Sequence, residues 1–143
     1  MSVAKIHPTS IVSSEVILGK NISIGPFCII EEGVEIGDNT KVISNTIIRS
    51  GVKIGKNNTF YQFCSIGEVP QDLGYDQTPT KVEIGDNNIF REYVSVHKAT
   101  TKENHITKIG SNSLFMAYVH VGHDVIVGDN CIIVNSVNLA GHV

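Results

Sequence analysis

Residues 34–60 read VEIGDNTKVISNTIIRSGVKIGKNNTF, and in this stretch a large apolar residue returns at every sixth position. Followed outward in both directions, the same frame holds a large apolar residue at twenty positions: Ile6, Val12, Leu18, Ile24, Ile30, Ile36, Val42, Ile48, Ile54, Phe60, Ile66, Ile84, Phe90, Val96, Ile109, Phe115, Val121, Val127, Ile133 and Leu139. Glycine directly follows the frame residue at nine of these positions, Gly25 and Gly37 among them. Internal repetition of this kind decides the fold.

A period of six fits neither a helix of 3.6 residues per turn nor a sheet with long crossovers. It predicts a solenoid in which each hexapeptide forms one short strand and one turn. Three such sides close a coil, so residues eighteen apart should stack at the strand spacing of about 4.8 Å. The chain then forms about seven coils of parallel β-helix. We expect the frame residue to point inward and the Gly and Asn corners to accept positive φ.

The composition agrees with an all-β fold and excludes several classes. The chain has 20 Ile and 17 Val against 4 Leu and 4 Ala, a balance that favours strands over helices. A net charge of −3 without any basic run argues against nucleic-acid binding. No apolar stretch approaches the ~18 residues of a membrane span, and the N-terminus has no signal-peptide core. We therefore expect a soluble, cytoplasmic protein.

Two stretches break the six-residue frame. Residues 67–83, GEVPQDLGYDQTPTKVE, contain two prolines and predict a loop extruded from a coil. Residues 97–108, HKATTKENHITK, contain a one-residue slip and few large apolar residues. Polar and titratable residues gather in both stretches, and breaks in a regular scaffold often carry binding residues.

The three cysteines lie four residues after a frame residue, where other repeats have valine. This second inward position predicts small buried hydrophobes. Cys28 and Cys64 should lie two coils, about 9.6 Å, apart, which is too far for a disulfide. We infer free thiols and a reducing compartment.

Coil geometry also brings the histidines of the C-terminal part together. With eighteen residues per coil, His123 should stack beneath Gly141, and Asp124 beneath His142. An imidazole can act as a general base, a carboxylate can fix its tautomer, and a glycine N–H can face an oxyanion. The alternatives are exposed corner residues that only tolerate the turn, or a zinc site formed by convergent histidines.

At these residues the chain closely resembles the hexapeptide-repeat acyltransferases, in particular the acyl-ACP–UDP-N-acetylglucosamine O-acyltransferases that begin lipid A biosynthesis. The matching segments are IHPTSIV, IGPFCII, FYQFCSIGEVPQDLGY, VEIGDNNIFREYVSVHKAT, HVGHDVIVGDNCI and NLAGHV. The resemblance implies a left-handed parallel β-helix. It also implies transfer of an R-3-hydroxyacyl chain from acyl carrier protein to the 3-hydroxyl of UDP-N-acetylglucosamine.

The resemblance also implies roles for particular residues. His123 would be the general base, Asp124 its orienting carboxylate, and the Gly141 N–H the oxyanion donor. The implied substrate-binding residues are Gln71, Asp72, His97, His120 and His142. No cofactor or metal is implied. The implied assembly is a homotrimer with the site shared between neighbouring subunits.

Two departures from the family stand out. Many members carry Lys where this chain has Gly74, so this chain lacks a cation that could contact the substrate. Members also continue beyond the position of Val143 with more coils and a helical domain. We therefore expect residues 1–143 to form one truncated β-helix domain. A 3-amino-sugar acceptor, an acetyl-CoA-dependent relative, a zinc lyase and an inactive solenoid stay open as alternatives.

Overall fold

The computed structural model describes residues 3–143, which form twenty short strands, one for each frame residue. In chain order they are β1 (Lys5–Ile6), β2 (Ile11–Val12), β3 (Ile17–Leu18), β4 (Ser23–Ile24), β5 (Ile29–Ile30), β6 (Glu35–Ile36), β7 (Lys41–Val42), β8 (Ile47–Ile48), β9 (Val52–Ile54), β10 (Thr59–Phe60), β11 (Ser65–Glu68), β12 (Lys81–Ile84), β13 (Ile89–Phe90), β14 (Ser95–His97), β15 (Ile106–Ile109), β16 (Leu114–Phe115), β17 (His120–Val121), β18 (Ile126–Val127), β19 (Ile132–Ile133) and β20 (Asn138–Leu139). Within residues 3–143 there is no helix whose length and apolar character would let it span a membrane.

Every third strand pairs in parallel, so the chain winds around three sheets. The first sheet has the order β1-β4-β7-β10-β13-β16-β19, the second β2-β5-β8-β11-β14-β17-β20, and the third β3-β6-β9-β12-β15-β18. In the regular coils the register is eighteen residues, as between Ile30 and Ile48. The predicted three-sided parallel β-helix of about seven coils is confirmed.

The frame residues form the core of the prism, as the pattern predicts. Phe60, Phe90 and Phe115 are fully buried, and their rings stack at centroid distances of 4.6 and 4.8 Å. Burying each such side chain contributes roughly 1.5–3 kcal/mol. The same residue type at equivalent positions of successive coils therefore holds neighbouring coils together.

The second inward position is more polar than the sequence analysis expected. Cys28 and Cys64 are buried there and all three cysteines are free, which confirms the absence of disulfides. The same position in other coils, however, holds buried Thr40, Thr46, Asn58, Asn88 and Ser113. Their side-chain oxygens accept N–H groups of the next coil, for example Asn88 N–H to Asn58 Oδ1 at 2.9 Å. These bonds satisfy turn backbone that would otherwise be buried without partners.

The asparagine corners have the expected positive φ, whereas most of the glycine corners do not. Asn39 and Asn57 have φ of 61° and 56°, as asparagine tolerates. Most glycines that follow a frame residue do not have positive φ. At Gly25 a Cβ atom would overlap the carbonyl oxygen of Ile43 in the next coil. Glycine is required there because successive coils approach closely, and not because of backbone conformation.

Both breaks in the frame leave the prism at the corner between the second and third sheets. The β11–β12 connection covers residues 69–80 and is shorter than the predicted loop near 67–83, because residues 67–68 extend β11 and 81–83 begin β12. The β14–β15 connection covers residues 98–105. These two connections lengthen the spacing between paired residues of successive coils from eighteen to 30 and 25 residues. The same corner carries the β17–β18 turn, so three segments meet there.

Candidate active site

The β17–β18 turn places His123 and Asp124 side by side. Asp124 has a φ of 60°, and the residue is only 4% exposed. Its N–H donates to Thr107 Oγ1 at 3.0 Å, which ties the turn to β15. His123 Nδ1 lies 2.9 Å from Asp124 Oδ2. The turn therefore presents the imidazole and the carboxylate as a hydrogen-bonded pair.

The carboxylate of Asp124 is held in its ionised form. Burial alone would raise its pKa, but hydrogen bonds from Thr100 and His123 outweigh burial, and the pKa lies below its ordinary value. Thr100 donates twice to Asp124 Oδ2, from Oγ1 at 2.6 Å and from its backbone N–H at 3.0 Å. Asp124 Oδ1 is buried without a hydrogen-bond partner among residues 3–143.

An ionised carboxylate determines the tautomer of its histidine partner. Because Asp124 Oδ2 can only accept, the proton of neutral His123 resides on Nδ1, and Nε2 keeps its lone pair. The side chain of His123 is 15% exposed, so the ring is largely but not completely shielded. Nε2 can accept a proton from a bound hydroxyl, which is the chemistry of a general base.

Gly141 lies directly over the ring of His123, as the eighteen-residue stacking predicts. The register of β17 with β20 and the hydrogen bond from His142 N–H to His123 O at 3.0 Å fix this stacking. A Cβ atom at position 141 would lie 2.6 Å from Nε2 and 2.9 Å from Nδ1 of His123, so only glycine fits. Within residues 3–143 the Gly141 N–H has no acceptor. It is free to donate to a ligand.

His142 completes the cluster from the exposed side. Its Nε2 lies 3.8 Å from Asp124 Oδ2, its Nδ1 lies 2.8 Å from Glu103 Oε1, and its ring packs edge-on against His123 with centroids 5.0 Å apart. The possible ligand atoms of His123, Asp124 and His142 lie within 4.8 Å of one another. A metal would compete with the three hydrogen bonds that Asp124 Oδ2 already accepts, so the arrangement suits an imidazole–carboxylate pair better.

His97 and His120 form a second pair beside the first: His120 begins β17, in the same coil as His123, and His97 ends β14, one coil below. Their rings pack edge-on with centroids 4.6 Å apart, and His120 Nδ1 bonds Ser95 Oγ at 2.7 Å. Burial lowers the pKa of His97 to about 4, with His120 adding to the effect, and burial also lowers the pKa of His120. His97 is 8% exposed and its Nδ1 has no partner within residues 3–143. Both rings are therefore neutral at physiological pH.

The extruded loop brings Asp72 to the same corner, while Gln71 is exposed beside it. Asp72 Oδ2 pairs with Lys102 Nζ at 2.5 Å, and Asp72 Oδ1 accepts the Gly74 N–H at 2.8 Å. Lys102 is the main cause that lowers the pKa of Asp72, and the hydrogen bond from the Gly74 N–H adds to the effect. No hydrogen bond among residues 3–143 joins Gln71 to the His123 cluster.

Comparison with known proteins agrees with this architecture. The model of the bacterial transferase hexapeptide family (six repeats) matches residues 106–141. The solved UDP-N-acetylglucosamine O-acyltransferase of Moraxella catarrhalis is 44% identical over 96% of this chain and 53% of its own, with a TM-score of 0.94. The acyltransferase of Francisella novicida is 43% identical over 96% of this chain and 50% of its own, with a TM-score of 0.93. That of Bacteroides fragilis is 40% identical over 96% and 53%, with a TM-score of 0.93.

The chain belongs to the hexapeptide-repeat acyltransferases. The match confirms the left-handed winding that the resemblance implied. The chain spans about half the length of these relatives.

Three residues of this member of the family contact the site although the sequence analysis did not single them out. Thr100 bonds Asp124, Lys102 pairs with Asp72, and Glu103 bonds His142. All three belong to the stretch 97–108, which the break in the frame had marked as a binding candidate. The slip identified the segment, but no spacing rule connects residues of an irregular connection to residues of other coils.

Proposed function

We propose that the protein is an acyl-ACP–UDP-N-acetylglucosamine O-acyltransferase, which transfers an R-3-hydroxyacyl chain from acyl carrier protein to the 3-hydroxyl of UDP-N-acetylglucosamine, the first step of lipid A biosynthesis. The observation that carries the proposal is the His123–Asp124 pair beneath the Gly141 N–H. The relatives at 40–44% identity that bear this activity in their names support it.

The chemistry follows from the positions of three groups. His123 Nε2 takes the proton of the sugar hydroxyl as its oxygen attacks the thioester carbonyl. The oxyanion of the tetrahedral intermediate accepts the Gly141 N–H. When the intermediate collapses, the carrier thiolate leaves and takes the proton from His123. Asp124 keeps the imidazole in the required tautomer and stabilises its charged form. This sequence needs neither a metal nor a covalent acyl-enzyme.

Gln71, Asp72, His97, His120 and His142 are the proposed substrate-binding residues. Asp72 and His142 lie at the same corner as the catalytic pair, and each is held by a residue of the β14–β15 connection. His97 and His120 are neutral, so they can donate or accept hydrogen bonds from a sugar without adding charge.

The proposed assembly is a homotrimer in which neighbouring subunits share each site. Five surface cavities of residues 3–143 are all lined by residues other than His123, Asp124 and Gly141. If a second subunit completes the cleft, one chain alone should leave the site open, as it does here. The proposed compartment is the cytoplasm, in keeping with three free cysteines.

The test is acyl transfer from hydroxyacyl carrier protein to UDP-N-acetylglucosamine by the purified protein and its His123→Gln variant. General-base catalysis predicts a rate loss of roughly 10²–10⁴-fold in the variant, while binding of the sugar nucleotide changes little. The product should be an alkali-labile ester. Transfer at the wild-type rate by the variant, or formation of an amide with a 3-amino sugar only, would contradict the proposal.

A further inference from the structure

The β14–β15 connection contains a lysine that joins the two extruded segments. Lys102 Nζ lies 2.5 Å from Asp72 Oδ2, thirty residues away in the β11–β12 connection. Its neighbours in the connection bind the catalytic cluster, because Thr100 bonds Asp124 and Glu103 bonds His142. Lys102 therefore ties the extruded loop to the segment that supports the catalytic pair.

The carboxylate of Asp72 is fixed at both oxygens. Oδ1 accepts the Gly74 N–H at 2.8 Å, which forms a tight turn within the loop, and Oδ2 receives Lys102. The side chain of Asp72 is only 15% exposed, so the contact removes much of it from solvent. Without the lysine, only the local turn would fix the carboxylate.

Lys102 also keeps hydrogen-bonding capacity for a ligand. Its ammonium has three N–H donors, and Asp72 is its only side-chain partner within residues 3–143. The side chain is 55% exposed. Asp72, Glu103 and Asp124 place three carboxylates in this region, so an approaching anionic sugar nucleotide meets like charge that a nearby ammonium offsets.

Gly74 leaves space beside this ammonium. A Cβ atom at position 74 would lie 3.9 Å from Lys102 Nζ and 3.3 Å from Asp72 Oδ1, with no other atom nearer than 4 Å. A long side chain at position 74 could therefore bring its own terminal group to the neighbourhood that Lys102 Nζ occupies now. A lysine at position 74 or a lysine at position 102 could therefore supply a cation at the same place.

We propose that Lys102 is a positioning residue for the sugar nucleotide: it holds Asp72 and the extruded loop in place and offers its remaining N–H donors to an oxygen of the substrate. This inference rests on the proposed function and deepens it by naming a specificity residue. It predicts an effect on sugar-nucleotide binding and not on the chemical step.

The test compares wild type with Lys102→Met, Lys102→Arg and the double variant Lys102→Met/Gly74→Lys. Lys102→Met should raise the KM for UDP-N-acetylglucosamine about fivefold, the effect of losing a partly exposed ion pair, with kcat and the KM for acyl carrier protein unchanged. Lys102→Arg should keep a near-wild-type KM, and Gly74→Lys should restore much of the loss. Lys108→Met, at an exposed lysine of β15, is the matched control and should leave the KM unchanged.

The outcomes separate this inference from the function on which it rests. An unchanged KM in Lys102→Met, or no rescue by Gly74→Lys despite a raised KM, would overturn the role of Lys102 while leaving the acyltransferase intact. Equal loss in Lys108→Met would overturn it too. If the wild-type protein neither transfers acyl groups nor binds the sugar nucleotide, the proposed function fails and this inference fails with it.

Discussion

Gly141→Ala places a methyl group against the imidazole of His123, which makes it a sharp probe of the site. The new Cβ would lie 2.6 Å from Nε2 and 2.9 Å from Nδ1, whereas unstrained contacts between heavy atoms need about 3.5–4.0 Å. The ring must therefore move by roughly 1 Å, the order of the shortfall in these contacts. Such a shift stretches the 2.9 Å bond to Asp124 and displaces Nε2 from the reacting hydroxyl.

A displacement of about 1 Å of a catalytic group costs on the order of 10²-fold in rate. The backbone at Gly141 does not have positive φ, so the substitution adds only the overpacking cost of about 1–3 kcal/mol and the protein should stay folded. The assay is single-turnover transfer of a labelled acyl group from its carrier protein to UDP-N-acetylglucosamine. Thermal unfolding of the same preparations verifies that the fold is retained.

Gly128→Ala is the matched control. Gly128 directly follows the frame residue Val127, and within residues 3–143 a Cβ atom there would have no other atom within 4 Å. This variant should transfer acyl groups at the wild-type rate. A Gly141→Ala protein that is folded and equally fast would refute the proposed role of the His123 imidazole beneath Gly141 as the general base.

Three further outcomes follow from the structure. Burial lowers the pKa of His97 to about 4 from 6.5, so between these pH values the unfolded chain binds a proton that the folded chain does not. The free energy of unfolding should therefore fall as the pH drops through this window, and urea titrations should show a fall about 3 kcal/mol smaller in His97→Gln. An equal fall in both proteins would count against a neutral buried ring. Phe90→Ala should lose roughly 3–5 kcal/mol of unfolding free energy because Phe90 stacks on two buried rings. Tyr93→Ala, at an exposed aromatic residue, should give a clearly smaller loss in the same measurement. Similar losses would contradict the phenylalanine stack as a main element of the core. Treatment with EDTA should leave acyl transfer unchanged because Asp124 Oδ2 already accepts three hydrogen bonds, and activity that zinc restores after EDTA would favour the metal site instead.

The repeat made the fold predictable to an unusual degree. Each six-residue step is a local rule, and the eighteen-residue coil converts it into contacts between distant residues, such as Ile30 with Ile48. The same arithmetic placed Gly141 over His123 and His142 beside Asp124. These predictions succeeded because regular coils leave no freedom in the register.

Irregular segments were predictable as segments but not residue by residue. The sequence marked 97–108 as a break, yet the partners of Thr100, Lys102 and Glu103 depend on how two extruded connections meet in space. The lost cation inferred at Gly74 is one example, because Lys102 from the other connection places an ammonium 3.9 Å from where a Cβ at position 74 would lie. Interior polar residues such as Asn58 were missed for a related reason: their role is to bond the turn of the next coil.

The central claim is that His123 Nε2 is the atom that receives the proton of the acceptor sugar. The most direct measurement is an experimental structure of the protein with bound UDP-N-acetylglucosamine. The account predicts the 3-hydroxyl oxygen at hydrogen-bond distance, about 2.6–3.2 Å, from His123 Nε2, with His123 Nδ1 still bonded to Asp124. A sugar bound with its 3-hydroxyl beyond reach of Nε2, or an imidazole with Nε2 turned to Asp124, would contradict it.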